Sequence, residues 1–546
     1  MSNILSIITF LPLVGMILVL LMPSSQTKLV QWGAVIFSLI PLALSVWLFA
    51  DYASHQYSGF QYQEQMTWFP QINASYHVGV DGISLPLVVL ANFLVPASLL
   101  ISMHNQKWVR AYTALFFLLQ TSVLGVFVSL DLVLFLIFYE IGLIPMFFLI
   151  NQWGGANRKY ASFKFILYTL FAGLAMLLAT QVIGLASHTF DIATLLTPAG
   201  RPFQANGTNA LGGLLGMPSG TWQAIAFFAF AIAFGLKIPV WPLHTWLPDA
   251  HTEAPTGGSM MLAGILLKLG GYGFLRLVIP LFPEASRDFA VVIAIFACLS
   301  IVLGAFAAWG QNDFKKLVAY SSINHMGFVA MGIAAVALVS AGGPVAQEMA
   351  HGAAEAAHGA EAAGHAAMAV DHSLSAIIAT NGAVLQMITH GLSSAAMFAL
   401  VGVVYERAHT RDLTRFGGLW TIMPKYGAIL IFCAMGSLGL PGLAGFVSEF
   451  MVIRGAWDQL TIWIVLSMIG LLVTGIYVLK SLQKTLHGPV GAEWVHHPLP
   501  DMNIKEILGV VPLMVGMLAL GIFPALVLNV INNTVTALVK LLIQKG

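Results

Sequence analysis

The sequence predicts an all-α polytopic membrane protein of about fourteen transmembrane helices. Three observations predict it. Of 546 residues, 58% are hydrophobic and only 8% are charged, against roughly 25% charged in soluble domains. Apolar runs of about 20 residues, enough for a helix to cross a bilayer core, recur from end to end. Lysine and arginine are shared unevenly between alternate loops. The length and continuity of the runs exclude the weakly alternating segments of a β-barrel.

The candidate spans cover about 3–22, 29–50, 84–103, 111–129, 131–152, 162–187, 222–246, 256–279, 288–309, 317–340, 375–405, 419–453, 459–482 and 506–535. The first lacks a basic flank and a small-residue cleavage site, so it reads as a span and not a removed signal peptide. Alternate loops counted from the first contain Lys28, Lys107, Arg110, Arg158, Lys159, Lys164, Lys315, Lys316, Arg407, Arg411, Arg415, Lys425, Lys480, Lys484 and Lys505, 15 in all. The other set holds 6: Arg201, Arg276, Arg287, Arg454, Lys540 and Lys545. By the positive-inside bias the basic loops face the cytoplasm, and both termini lie on the periplasmic side of a bacterial inner membrane. Losing one span would scramble this alternation.

In chain order, residues 1–110 form a three-helix N-terminal segment followed by a first five-helix unit over 111–280. The loop at 51–83 has no Lys or Arg, and its turn residues and aromatics suggest a short hairpin or irregular cap. The run FFAFAIAFGLKIPVWPLHTWLPDAHTE at 227–253 is interrupted by Pro239 and Pro242, each of which removes a backbone donor and breaks the helix. Such a break is tolerable at membrane depth only where protein or trapped water satisfies the freed carbonyls. A second five-helix unit over 287–483 is broken around Gly439, Pro441 and Gly442. Five spans per unit would invert the second copy, the plan of an inverted-repeat transporter. The outside loop at 341–372 is Ala/Gly-rich, with His351, His358, His365 and His372 spaced by seven. On a helix these share a face but stand about 10 Å apart, too far for one metal ion. The chain closes with a cytoplasmic loop and a final helix over 484–546.

Four charged residues fall near span centres: Glu140, Lys237, Lys268 and Glu449. Each costs about 2.5–3.5 kcal/mol there, so packing alone is a poor reason to keep them. Burial brings a lysine and a glutamate towards the range where a proton can hop, and a movable partner then switches the affinity. His325 and His390 lie in later spans and suit a relay between the two lysines and Glu449, because imidazole accepts on one nitrogen and releases from the other. Buried ion pairs that fix helix packing are the plainer alternative.

Other chemistry is excluded or weak. Net charge is +1, without the footprint of a nucleic-acid binder. Cys298 and Cys433 stand alone in apolar runs and make no iron–sulfur site. His244, Asp249, His251 and Glu253 match no zinc spacing; they read as a polar, hydrated channel entrance where a cytoplasmic loop meets two helix ends. GGANRK lacks the ending of a phosphate loop, and there is no dinucleotide fingerprint. Metal and cofactor sites are therefore expected to be absent from this chain.

The segments FYEIGLIPMFFLI, FGLKIPVWPLHTWLPDAHTEAPTGGSMMLAGILLKLGGYG, NDFKKLVAYSSINHMG, QMITHGLSSAAMF and GLPGLAGFVSEF closely resemble the antiporter-like subunits of respiratory complex I, over roughly residues 80–485. The resemblance implies fourteen helices with two inverted five-helix units. It implies a Glu140–Lys237 pair in the first half-channel, Lys268 as relay lysine, His325 and His390 as central histidines, and Glu449 as the terminal residue of the distal half-channel. Glu449, and an end after one last span at Lys545–Gly546, resemble the M-type branch and not the L-type, which carries a lysine at that place and continues into a lateral helix. The resemblance further implies a subunit of an H+-translocating NADH:quinone oxidoreductase with no redox chemistry of its own. NADH, FMN, iron–sulfur clusters and quinone would be held by partner subunits. Other membrane subunits, two sibling antiporter-like subunits among them, would be neighbours in the bilayer. A subunit of a multi-component Na+/H+ antiporter of the same fold is the alternative, and the histidine-rich insert departs from the family.

Overall fold

The structure is a computed structural model, which describes residues 3–197, 219–340 and 360–543. Helices α1 (Ile4–Leu21), α2 (Thr27–His55), α3 (Ser84–Ile101), α4 (Val109–Val128), α5 (Leu132–Trp153) and α6 (Arg158–Ser187) come first. The hairpin expected before α3 is present: β1 (Gln61–Phe69) pairs antiparallel with β2 (Ala74–Val80). It ties helix starts together at the end of the bundle that carries the N-terminus. Glu64 Oε1 accepts from the free Leu5 N–H of α1 at 2.7 Å, and Asp131, the N-cap of α5, accepts from Ser75 N at 2.8 Å. These carboxylates satisfy helix-start donors that nothing inside the helix can reach.

The first broken helix consists of α7 (Ser219–Lys237), a non-α stretch, and α8 (Trp246–Glu253). Its freed backbone groups have partners: Trp246 Nε1 donates to Leu236 O at 3.0 Å, and Trp241 N donates to Ser300 Oγ at 2.8 Å. Segment 246–253 is therefore a buried half-helix and not the loop junction read from the sequence. Next come α9 (Thr256–Leu281), α10 (Ala290–Trp309), α11 (Phe314–Leu338) and α12 (Ala360–Ala408). Residues 341–359 of the histidine-rich loop, with His351 and His358, lie outside the described residues. The second break separates α13 (Pro424–Leu438) from α14 (Ala444–Leu486). Gly439 and Gly442 sit there at φ +83° and +93°, a left-handed turn that a side chain would strain.

Among the described residues fourteen helices are long and apolar enough to cross a membrane, as expected, although the chain is divided differently near its end. Leu460, at φ −127°, kinks α14, so α13 with the first part of α14 makes one broken crossing and the remainder another. The expected last span over 506–535 is two helices, α15 (Ile504–Ile522) and α16 (Ala525–Ile543). Mid-length residues of α16 bond to groups at the hairpin end: Thr534 Oγ1 accepts from Gly82 N at 2.9 Å, and Asn533 donates to Gln56 O at 3.2 Å. Helix α16 thus lies across that end, with Val530, Ile531, Thr534, Val535, Val539 and Leu542 on its buried face.

Helices α9 and α12 form the axis. Their most apolar 18-residue windows are 100% buried, against 39% for α1, α6 and α14, which face outwards. Glycines let the two meet backbone to backbone: a Cβ on Gly391 would stand 2.8 Å from Gly264 O. Arg276, assigned by its sequence to an outer loop, is instead buried in α9. It pairs with Asp81 at 2.5 Å and lies over the rings of Phe60 and Tyr272. Replacing Arg276 with leucine leaves the buried Asp81 carboxylate without its countercharge. We expect a loss of about 3–5 kcal/mol, read as a lower thermal midpoint of the solubilised protein, and recovery of most of it when Asp81→Asn is added.

Candidate proton path

Glu140 lies nine residues beyond the Asp131 N-cap of α5, on the face turned to α6 and α7. It is half-buried, Oε1 makes no hydrogen bond, and Gly173 of α6 lies directly against the carboxylate. Lys237, 1% exposed, closes α7 just before the break. Its Nζ sits 5.0 Å from the Tyr139 ring centre and 5.8 Å from that of Phe165, in cation–π range. Tyr139 is held by its hydroxyl, which donates to Ala233 O of α7 at 3.3 Å. Glu140 and Lys237 feel each other's charge without a direct ion pair. The expected pair is therefore a separated one, the ammonium resting on aromatic faces and the carboxylate free to move.

Gly270 of α9 accommodates this break, since a Cβ there would stand 2.5 Å from Phe234 O and 2.7 Å from Ile238 N. Two residues earlier on the same helix is Lys268, fully buried. The helix is not a plain α-helix around it: Leu262–Leu266 and Phe274–Val278 are π-helical. A π turn widens the helix and leaves a carbonyl short of its usual partner. Lys268 Nζ donates to one such carbonyl, Ala263 O, at 2.5 Å, and to His390 Nδ1 at 2.7 Å.

From His390 the line continues towards His325 and Glu449. The rings of His390 and His325 are 5.9 Å apart, and His325 Nδ1 donates to Glu449 Oε1 at 2.8 Å. Gln386 also donates to Glu449 Oε1, at 3.2 Å, and its own oxygen accepts from Ser448. On the other side of His325, the Ser437 and Tyr477 hydroxyls stand 3.4 and 3.5 Å from Nε2. Lys268, His390, His325 and Glu449 are each at most 4% exposed. The structure thus brings four of the six residues singled out by sequence into one buried line, hydrogen-bonded from Lys268 to His390 and from His325 to Glu449, with Glu140 and Lys237 as a neighbouring pair.

His251 was passed over as part of a polar junction. It is fully buried in α8, stacked on Phe398 at 4.6 Å, and neither ring nitrogen has a hydrogen-bond partner. The charges that reach its ring are those of Lys315 and Lys268. A buried imidazole with both nitrogens vacant can take up or pass on a proton, directly or through water. The signal was present: Leu247, Ala250, His251 and Ala254 follow the i, i+3, i+4, i+7 spacing of one helix face. Asp249 instead points outwards to Lys164 at 2.7 Å. No group of three metal-ligating side chains occurs among the described residues.

A family model described as "NADH:quinone oxidoreductase/Mrp antiporter, TM" matches residues 129–358 and 363–476. The NADH-quinone oxidoreductase subunit M of Rhodobacter capsulatus is 37% identical over 99% of this chain and 97% of its own length. The chain belongs to this family. The NAD(P)H-quinone oxidoreductase chain 4 1 of Synechococcus elongatus is 36% identical over 97% of this chain and 90% of its own. Among solved structures, a chain of respiratory complex I from Thermus thermophilus superposes with a TM-score of 0.81 at 26% identity, over 98% of this chain and 99% of that one. A chain of the Mrp complex from Dietzia shares the fold, with a TM-score of 0.74 at 20% identity, over 97% of this chain and 52% of that one. As a member of the antiporter-like family, the protein is a multi-pass subunit of an energy-conserving membrane complex.

Gly173 gives a direct handle on the separated pair. A methyl group there collides with the Glu140 carboxylate and pushes it from its present place, while α6 gains helix propensity. Gly173→Ala is expected to assemble normally and to slow proton translocation by about tenfold. The check is the initial rate of vesicle acidification beside a native gel.

Proposed function

We propose that this chain is the M-type proton-translocating subunit of an NADH:quinone oxidoreductase, and that protons cross it through Glu140, Lys237, Lys268, His390, His325 and Glu449. The observation that carries the reading is the buried line from Lys268 to Glu449, with one contact of 2.7 Å and one of 2.8 Å at its ends. Glu140 and Lys237 act as the switch. When a distant charge change draws the carboxylate closer, the ammonium holds its proton; when the carboxylate withdraws, the proton becomes available to the centre. Lys268 receives it, the imidazoles pass it on, and Glu449 releases it. Electron transfer from NADH to quinone, with FMN and iron–sulfur clusters, takes place in partner subunits, and two sibling antiporter-like subunits share the membrane arm.

In this reading residues 111–280 and 287–483 are two inverted units, flanked by 1–110 and 484–546. A matched pair of bridges supports it. Asp131, N-cap of α5, bridges Asp191, itself a helix N-cap, at the hairpin end. Asp313, N-cap of α11, bridges Asp412, again a helix N-cap, at the opposite, basic end. The basic end faces the cytoplasm of a bacterium, and both termini lie on the other side of the inner membrane.

The test is NADH-driven acidification of inside-out vesicles carrying Glu140→Gln, with assembly followed on a native gel. Assembly with acidification reduced by about tenfold or more is the expected outcome. Unchanged acidification would remove Glu140 from the path and overturn the proposed switch. Absence of the chain from any NADH-oxidising complex would move the reading to a cation/proton antiporter.

A further inference from the structure

Lys315 is the second residue of α11, counted by sequence among the loop lysines of the basic end. The structure buries it, at 7% exposed, with Nζ donating to Ala254 O at the close of the half-helix α8. A buried ammonium at a helix N-terminus is doubly disfavoured, by desolvation and by the positive end of the helix dipole. It lines a cavity of 150 Å³ together with His104, Glu253, Thr256, Glu406 and Arg411. At about 15 Å³ per water, that space holds several water molecules. The residue next to its lining residue Thr252 is His251, whose two partnerless nitrogens and full burial mark it as a group waiting for a proton.

The charged groups around Lys315 come from four directions. Glu253 ends α8, Glu406 descends from α12, Asp313 caps its own helix, and Arg411 follows α12. All four are engaged, three with one another and Glu406 with His104. Arg411 contacts Asp313 at 3.2 Å and Glu253 at 3.9 Å, and donates to Thr252 O at 2.5 Å, while Glu406 pairs with His104 at 3.1 Å. Lys315 forms no ion pair with these carboxylates and donates instead to a neutral backbone carbonyl. A carbonyl holds an ammonium less firmly than a carboxylate does.

We propose that Lys315 is the intake carrier of the basic side: it takes a proton from water in the cavity and hands it on to His251, the buried neighbour of the lining residue Thr252, which reloads Lys268. This rests on the proton-path reading above. The step balances as one proton moving from the ammonium to a neutral imidazole, leaving an amine that takes its next proton from the aqueous phase on the basic side, relayed by the cavity water. The bond to Ala254 would be released and remade in each cycle.

A lysine that only caps α8 makes a different prediction from one that must lose its proton. Arginine keeps the donor and the charge but does not deprotonate in proteins. The experiment compares Lys315→Arg, Lys315→Gln and Lys315→His in the assembled NADH-oxidising complex, using acidification of inside-out vesicles per unit of assembled complex. The inference expects Arg and Gln to fall by about tenfold and His to retain several-fold more than Gln. Acidification near wild type for Lys315→Arg assigns the residue to capping and overturns the inference. If Arg does not assemble, His and Gln decide: equal rates overturn it, and a clear advantage for His upholds it. Lys268→Met serves as the control on the underlying reading. If it abolishes acidification while Lys315→Arg is silent, only the intake role fails; if both are silent, the path itself fails.

Discussion

An ammonium in the middle of a membrane protein has to be solvated by the protein itself, and Lys268 is the place where this chain meets that demand. Its partners are a carbonyl freed by a π turn in its own helix and a neutral imidazole from α12. Neither is a countercharge. The lysine is therefore held by dipoles, which keep it in place without fixing its proton as a carboxylate would. Much of the surrounding architecture serves this one arrangement: two helices meeting at glycines on the axis, a pair of π segments flanking the lysine, and its complete burial.

The two ends of the proposed path are built differently. Around Glu140 and Lys237 the contacts are loose: an aromatic cradle, a carboxylate oxygen without a partner, and a glycine where a side chain would crowd it. Around Glu449 they are tight, with a histidine and a glutamine donating to the same oxygen. Small rearrangements change the field at the first end at low cost, because no hydrogen bond has to break. At the second, a shift has to break bonds to a buried carboxylate, which costs on the order of 1.5–3 kcal/mol for each hydrogen bond to a charged group.

Composition and hydropathy made the membrane helices, both breaks and the buried charges legible, because each violates or fulfils a strong local rule. Pro239, Pro242, Gly439 and Gly442 interrupt apolar runs, and a charged residue inside such a run is conspicuous. The hairpin at 61–80 was legible from its turn residues. What escaped depends on partners far apart in sequence or on shape. Arg276 looks like a loop residue until Asp81, nearly two hundred positions away, is brought beside it. The π segments have no compositional mark, since the same residues would serve an α-helix. Helix α16 has the length and apolarity of a span, and only its contacts with Gln56 and Gly82 show that it lies across the bundle. His251 carried a helical spacing but was masked by the polar residues beside it.

The close meeting of α9 and α12 at Gly264 and Gly391 has an electrical side. Helices in backbone contact have no side-chain layer to repack, so the separation between the groups they carry is nearly constant. Charges at fixed separation in a medium of low polarisability act on each other strongly and over a distance, as across the plates of a capacitor. Along the proposed path a signal would then traverse the axis as a redistribution of potential while the scaffold stays still, at the pace of proton hopping and not of the slower travel of helices.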